Sequence, residues 1–144
     1  MNQYDAIQLQ NQLSFPLYAC SRELIKRCRP GLDALGLTYT QYIVMLVVLE
    51  AGTISVRDLG RRLYLDSGTL TPVLKTLEQQ ELVTRERSKQ DERVLLVTAT
   101  DKGAALRAEA VAQQPNMALR TGLTAQEEKQ LTQLLYKVLT SLEK

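Results

Sequence analysis

The sequence predicts a mainly α fold with one small β-hairpin, arranged as a winged helix-turn-helix between two terminal helices. Three observations carry this. Two short helical patterns, between Ser55 and Leu77, are separated by the turn Tyr64-Leu65-Asp66. Two β-branched runs, residues 82–87 and 94–98, follow directly around a polar loop, residues 88–92, which is how a strand pair is written. A long amphipathic helical pattern stands at each end of the chain.

Taken in order, Leu9, Leu13, Leu17, Cys20 and Leu24 recur at three- and four-residue steps, predicting one amphipathic helix over residues 9–29 that Pro30 ends. The Thr38-Tyr-Thr-Gln41 capping box opens a helix over residues 39–50, broken by Gly52. Ser55 opens a short helix reaching Leu63. After the turn, Asp66, Ser67 or Thr69 caps a helix with Leu70, Val73, Leu74 and Leu77 on its inner face. A helix from Thr100 is expected to reach Gln114, where Pro115 and Asn116 interrupt it; residues 117–121 are left open. The capping box Thr124-Ala-Gln-Glu127 starts a last helix with Leu131, Leu134, Leu135, Val138, Leu139 and Leu142 along one face. A central lobe cannot cover both terminal stripes, so a homodimer with interleaved terminal helices is expected.

Composition bounds the class. With 144 residues and 44% hydrophobic content, the chain suits one domain with a sizeable core. The longest apolar run, residues 42–49, is far below the roughly 20 residues that span a bilayer. No secretory pattern opens the chain and two cysteines make no disulfide framework, so the expected location is the cytoplasm. The chain has no histidine, phosphate-binding glycine loop or metal-ligand spacing, so no enzyme, cofactor or metal site is expected.

Net charge is only +2, and residues 53–104 hold nine basic and eight acidic side chains, so the placement of charge must carry any case for nucleic acid. An α-helix fits the B-form major groove, and small polar side chains let it approach base edges. Asp66, Ser67, Thr69, Thr71 and Pro72 fill that face, with Lys75 placed for a phosphate. On the hairpin, Arg85, Arg87, Lys89 and Arg93 are placed to follow the backbone, one arginine entering the minor groove while Asp91 holds its guanidinium. Arg57 falls on the supporting helix, so Arg93 is expected to matter more. A dimeric interaction module without DNA binding is the rival reading, and steep salt dependence separates the two.

Residues Leu9-Gln-Asn-Gln-Leu13, Phe15, Leu17-Tyr18-Ala19, Ser21-Arg-Glu23, Leu37-Thr-Tyr39, Gln41-Tyr42, Leu74-Lys75, Glu78-Gln79, Arg85-Glu-Arg-Ser88, Asp91-Glu-Arg93 and above all Tyr64-Leu-Asp-Ser-Gly-Thr-Leu-Thr-Pro72 carry a specific resemblance. Over nearly its full length the chain resembles MarR-family regulators of the OhrR type, which repress organic-hydroperoxide responses. The resemblance implies a single domain, with dimerisation helices in residues 8–36 and 104–144 and a DNA-binding lobe in residues 37–103. It further implies an inverted-repeat double-stranded operator, a recognition helix in the major groove and a minor-groove arginine at Arg93. Two departures stand out. Glu81 occupies a helix end where many relatives place glycine. Ser14 stands where the OhrR type carries its peroxide-reactive cysteine, and a hydroxyl forms no sulfenic acid.

The resemblance further implies a pocket shared by two subunits, in which Ser14 and Tyr18 of one chain face Tyr39 and Cys28 of the other. Cys28 stands where relatives have a second tyrosine. Three readings are open: a thiol-to-hydroxyl substitution that locks the reduced, DNA-binding form; Cys28, among Lys26, Arg27 and Arg29, as the sensor; or release by a small, aromatic effector. Against a sensor role, Cys28 reads as a partly exposed thiol near a helix end with no role; Cys20, in the apolar stripe, is expected to be buried.

Overall fold

The computed structural model describes residues 2–143. Two 3-10 turns, Asp5–Ile7 and Leu9–Asn11, lead into α1 (Ser14–Leu35), α2 (Tyr39–Ala51), β1 (Thr53–Ser55), α3 (Val56–Leu63), α4 (Ser67–Gln79), β2 (Val83–Arg87), β3 (Leu95–Ala99), α5 (Asp101–Met117) and α6 (Ala125–Leu142). Mainly helical content around a small antiparallel sheet is the fold class expected from the sequence.

Side-chain caps set most helix starts. Thr38 and Thr124 each close a full capping box, with Gln41 and Glu127 as the returning partners. Ser55, Asp66 and Thr100 accept the backbone N–H of Asp58, Thr69 and Gly103. Helix α2 is the centre of the core: Val44, Met45 and Val48 are fully enclosed, and Leu59, Leu70, Leu74, Leu77, Val83 and Val97 close around them.

The first helix departs from expectation at both ends. Residues 9–13 do not join it, because the 3-10 turns fold back, the Asn11 side chain donating to the Asp5 carbonyl at 2.8 Å. Pro30 does not end it either; the helix continues to Leu35 and closes on Gly36 at φ 70°. An interior proline costs about 3 kcal/mol. The turn beyond it buries Leu32 and Leu35, each contributing about 1.5–3 kcal/mol, so packing outweighs the local penalty. The same competition decides Pro115: α5 runs on to Met117, whose side chain lies where a β-carbon on Gly31 would sit. The chain leaves helical geometry at Ala118.

Strand β1 was not expected. Its three residues show no pattern of their own and are strand only because Thr53, Ile54 and Ser55 pair with Thr98, Val97 and Leu96. The sheet order is β1-β3-β2, and the Thr53 and Thr98 hydroxyls meet at 3.0 Å.

Two stripes lie outside this core. Among the described residues α6 buries none, leaving Leu131, Leu134 and Leu142 exposed, and the first half of α1 exposes Phe15 and Tyr18. Cys20, expected to be buried, is exposed, because that half of α1 projects past the lobe. Cys28, expected to be partly exposed, is buried on the face that meets α5. Among the described residues no single helix is long and apolar enough to cross a membrane.

At the end of α4, Glu81 adopts φ 63°, with its N–H on the Glu78 carbonyl and the Leu82 N–H on that of Leu77. This is a Schellman closure carried by a residue with a β-carbon. Glu81→Gly is expected to raise unfolding free energy by about 1 kcal/mol, read by urea denaturation. An unchanged midpoint would show that Glu81 is unstrained.

Candidate nucleic-acid interface

The packing of α3 on α4 fixes the geometry of the helix pair. A β-carbon on Gly60 would sit 2.6 Å from the Leu65 carbonyl and 3.2 Å from Leu70, so only glycine allows this approach. The turn between the helices closes with Tyr64 at φ 57° and the Leu65 N–H on the Gly60 carbonyl.

Helix α4 then presents Ser67, Thr69, Thr71, Pro72 and Lys75 to solvent while Leu70, Leu74 and Leu77 are enclosed. Asp66 serves as its N-cap, accepting from the Thr69 N–H at 2.7 Å. The Thr69 backbone N–H and then its hydroxyl hold the Asp66 carboxyl below the usual aspartate range. The Thr71 hydroxyl donates to the Ser67 carbonyl at 2.7 Å. Pro72 lacks an N–H, so the Gly68 carbonyl loses its helical partner.

The hairpin tip is closed by the Ser88 N–H on the Val94 carbonyl and the Val94 N–H on that of Asp91. Asp91 holds Arg93 at three points: the backbone N–H and Nε on Oδ1, each at 3.1 Å, and Nη2 on Oδ2 at 3.2 Å. The Arg93 side chain is nonetheless 91% exposed. Its guanidinium depresses the Asp91 carboxyl, so this clasp is intact at neutral pH and dissolves only when pH falls below the usual aspartate range. Arg87 and Lys89 are exposed on the same hairpin and make no ion pair among the described residues.

Arg85 differs from the other three wing cations. It shares the inward face of β2 with buried Val83, and its Nη2 and Nε reach Glu78 of α4 at 3.2 and 3.5 Å. With only 21% of its side chain exposed, it ties hairpin to helix rather than facing a ligand. Arg85 hydrogen bonding in turn lowers the Glu78 carboxyl. The period of two along β2 places Arg85 on the face of Val83 but places Arg87 there too, so spacing alone did not separate the two arginines.

An open cleft of about 1360 Å³ lies between these parts. Ser67 and Thr71 of α4 line it, with Asp91 and Arg93 on the wing side. Arg57, Arg61 and Tyr64 line it from the α3 side and Glu143 stands at its rim. Arg61 and Tyr64 were not singled out from the sequence, and Arg57 was placed only on a supporting helix. Their exposed spacing on α3 was legible, but their facing the wing depends on the tertiary fold.

The second candidate group is divided within one protomer. Ser14 is the first residue of α1 and exposed; Tyr18, one turn on, lies under the Arg22 guanidinium at 5.5 Å. Cys28 is about 21 Å from Ser14 along the helix. It is buried, its thiol 3.8 Å from the Met117 carbonyl. Tyr39 lies beside it, 6.3 Å from Tyr42 between ring centroids. Burial, with Cys28 and Tyr42 adding to it, pushes the Tyr39 phenol above its ordinary range. The structure thus groups Cys28 with Tyr39 and separates both from Ser14 and Tyr18 in the same chain.

Residues 26–109 match the family described as transcriptional regulator SarA/Rot. The chain is 45% identical over 141 residues to the organic hydroperoxide resistance transcriptional regulator of Bacillus subtilis, spanning 98% of this chain and 96% of that one. The chain belongs to the MarR/SarA family of transcriptional regulators.

Among solved structures of such regulators, reduced AbfR bound to DNA superposes with a TM-score of 0.84 at 34% identity over the full length of both chains. AbfR is a Staphylococcus epidermidis protein. An E. coli MarR variant complexed with operator DNA gives 0.82 at 27% identity, covering 96% of this chain and 99% of that one. The same MarR variant without DNA gives 0.64, and disulfide-formed AbfR gives 0.65. The chain thus shares the fold of these regulators over nearly its whole length.

Because Arg85 is tied to Glu78, Arg85→Ala is expected to lower the melting temperature and leave DNA affinity unchanged. Arg87→Ala is expected to do the reverse. Thermal denaturation beside a DNA titration separates the two, and equal effects would remove the distinction between these arginines.

Proposed function

We propose that this chain is a dimeric, DNA-binding transcriptional repressor of the MarR and OhrR type, controlling an organic-hydroperoxide stress response. The cleft between the polar face of α4 and the clasped Arg93 carries this reading. An α-helix with a small polar surface fits the major groove, and an exposed arginine on a projecting hairpin suits the adjoining minor groove. Ser67, Thr69, Thr71 and Pro72 take the base-facing role. Lys75, Arg87 and Lys89 meet phosphates, Asp66 and Asp91 hold their neighbours in place, and Arg85 braces the hairpin.

The exposed stripes of α1 and α6 are the dimerisation surfaces, with residues 8–36 and 104–144 flanking a DNA-binding lobe at residues 37–103. A two-fold dimer calls for an inverted repeat with half-site centres about 34–36 Å apart. A regulator with this partner works in the cytoplasm. Similarity to a hydroperoxide-resistance regulator over 98% of the chain supports the stress response. Serine at position 14 removes the thiol chemistry from it, and burial of Cys28 disfavours that residue as a substitute sensor.

A second reading, release by a small aromatic effector, is favoured by one observation. A groove of about 390 Å³ between α2 and α5 is lined by Leu46, Leu49, Ala110 and Val111, with Arg107 and Gln114 among its polar groups.

Fluorescence anisotropy on labelled duplex from the chain's own upstream region, with and without an organic hydroperoxide, tests the redox reading. The expected result is salt-dependent binding that survives the oxidant, while Ser14→Cys gives binding lost on oxidation and restored by thiol. Oxidant-sensitive binding by the unsubstituted chain would overturn the silenced-sensor reading, and salt-insensitive or absent binding would favour the interaction module.

A further inference from the structure

We infer that Arg57, Arg61 and Tyr64 form a second, phosphate-holding wall of the DNA cleft, so that one deoxyribose-phosphate strand passes between α3 and the wing. This rests on the DNA-binding reading above and adds three residues to it.

Three observations converge. First, the three side chains line the same cleft as Arg93, from its opposite side. Leu70, Val94 and Leu95 also line it, so the cleft combines apolar lining with cationic side chains. A strand that carries its charge along its length and its bases to one side suits that shape.

Second, the acids in the cleft are largely engaged. Asp66 caps α4, Asp91 holds Arg93, and Asp58 lies 3.9 Å from Arg61 while accepting nothing from Arg57. Arg57 makes no ion pair among the described residues. Its charge is therefore available to a ligand anion, and Arg61 exchanges a long, exposed contact for a phosphate.

Third, Tyr64 holds the turn at φ 57°, a conformation in which a β-carbon costs free energy and glycine or asparagine would relax. Its ring buries little in return, being 46% exposed and turned to the cleft. A tyrosine at this place gives the fold less than a glycine would. The phenol supplies what glycine lacks, a donor for a phosphate oxygen beside the two guanidinium groups.

The test is anisotropy on the full chain with operator duplex and with an unrelated duplex, as a function of salt. Arg57→Ala and Arg61→Ala are each expected to weaken both duplexes several-fold and to reduce the slope of log affinity against log salt by about 1. Arg57→Lys is expected to keep the slope, because a phosphate needs only a positive charge, whereas a base edge needs the guanidinium fork. Tyr64→Gly is expected to raise the melting temperature and lower affinity together, a combination that a purely structural residue does not give. Tyr64→Phe is expected to lower affinity at unchanged melting temperature.

Operator binding by the unsubstituted chain with wild-type affinity and slope in Arg57→Ala and Tyr64→Phe would overturn this wall and leave the DNA-binding reading intact. No DNA binding by the unsubstituted chain would overturn both. Losses confined to the operator would replace phosphate holding with base recognition.

Discussion

Everything functional in this molecule is mounted on α2. That helix is apolar on nearly every side, and α1, α3, α4, α5, β1 and β3 all pack around it. A helix enclosed this way leaves its neighbours little freedom to slide, because displacing any of them opens a void against Val44, Met45 or Val48. Two close approaches complete the constraint. Gly60 admits the α4 side, and Gly103 admits the backbone of Leu82, so that α5 can start directly beneath the sheet. The polar face of α4 and the wing are thus fixed relative to each other by packing on α2 together with the direct Arg85–Glu78 tie.

On that mounting, charge is organised locally instead of in bulk. The +2 chain is nearly balanced, yet its acids and bases play unequal parts around the cleft. Asp66 is consumed by a helix terminus, Glu78 by Arg85 and Asp91 by Arg93. Each pairing leaves an element stiffer and a cationic or polar surface facing outward. Net charge therefore understates the positive potential of this face, since screening over a Debye length of about 8 Å makes nearby groups count most. The helix α3 contributes to the same face, because its exposed side meets the cleft and not open solvent.

The terminal helices show a different division of labour. The end of α1 is locked to α5 at Gly31 and Met117, while its beginning and all of α6 offer apolar stripes that one protomer leaves uncovered. Ser14 and Tyr18 belong to the projecting part, Cys28 and Tyr39 to the locked part. A pocket drawing on both groups has to be completed between subunits. The family's chemistry would then be assembled at a dimer interface, away from the α3–α4 lobe of the same protomer.

The sequence by itself determined the helix starts from α2 onward, the hairpin and the polar face of α4. These depend on neighbours three or four residues away: Thr38 with Gln41, Thr124 with Glu127, Asp66 with Thr69. It also exposed Glu81 as a glycine position held by glutamate. What it missed was settled by distant partners. Pro30 and Pro115 were overridden because α1 and α5 bury more together than each proline costs. Strand β1 exists only through β3, and Arg85 left the ligand face because Glu78 of another element reached it. The two cysteines exchanged their expected environments because burial depends on what lies opposite a helix. Local hydrogen bonding is written in short spacings; packing, ion pairing across elements and the joining of α3 to the cleft were decided only when the tertiary structure brought remote residues together.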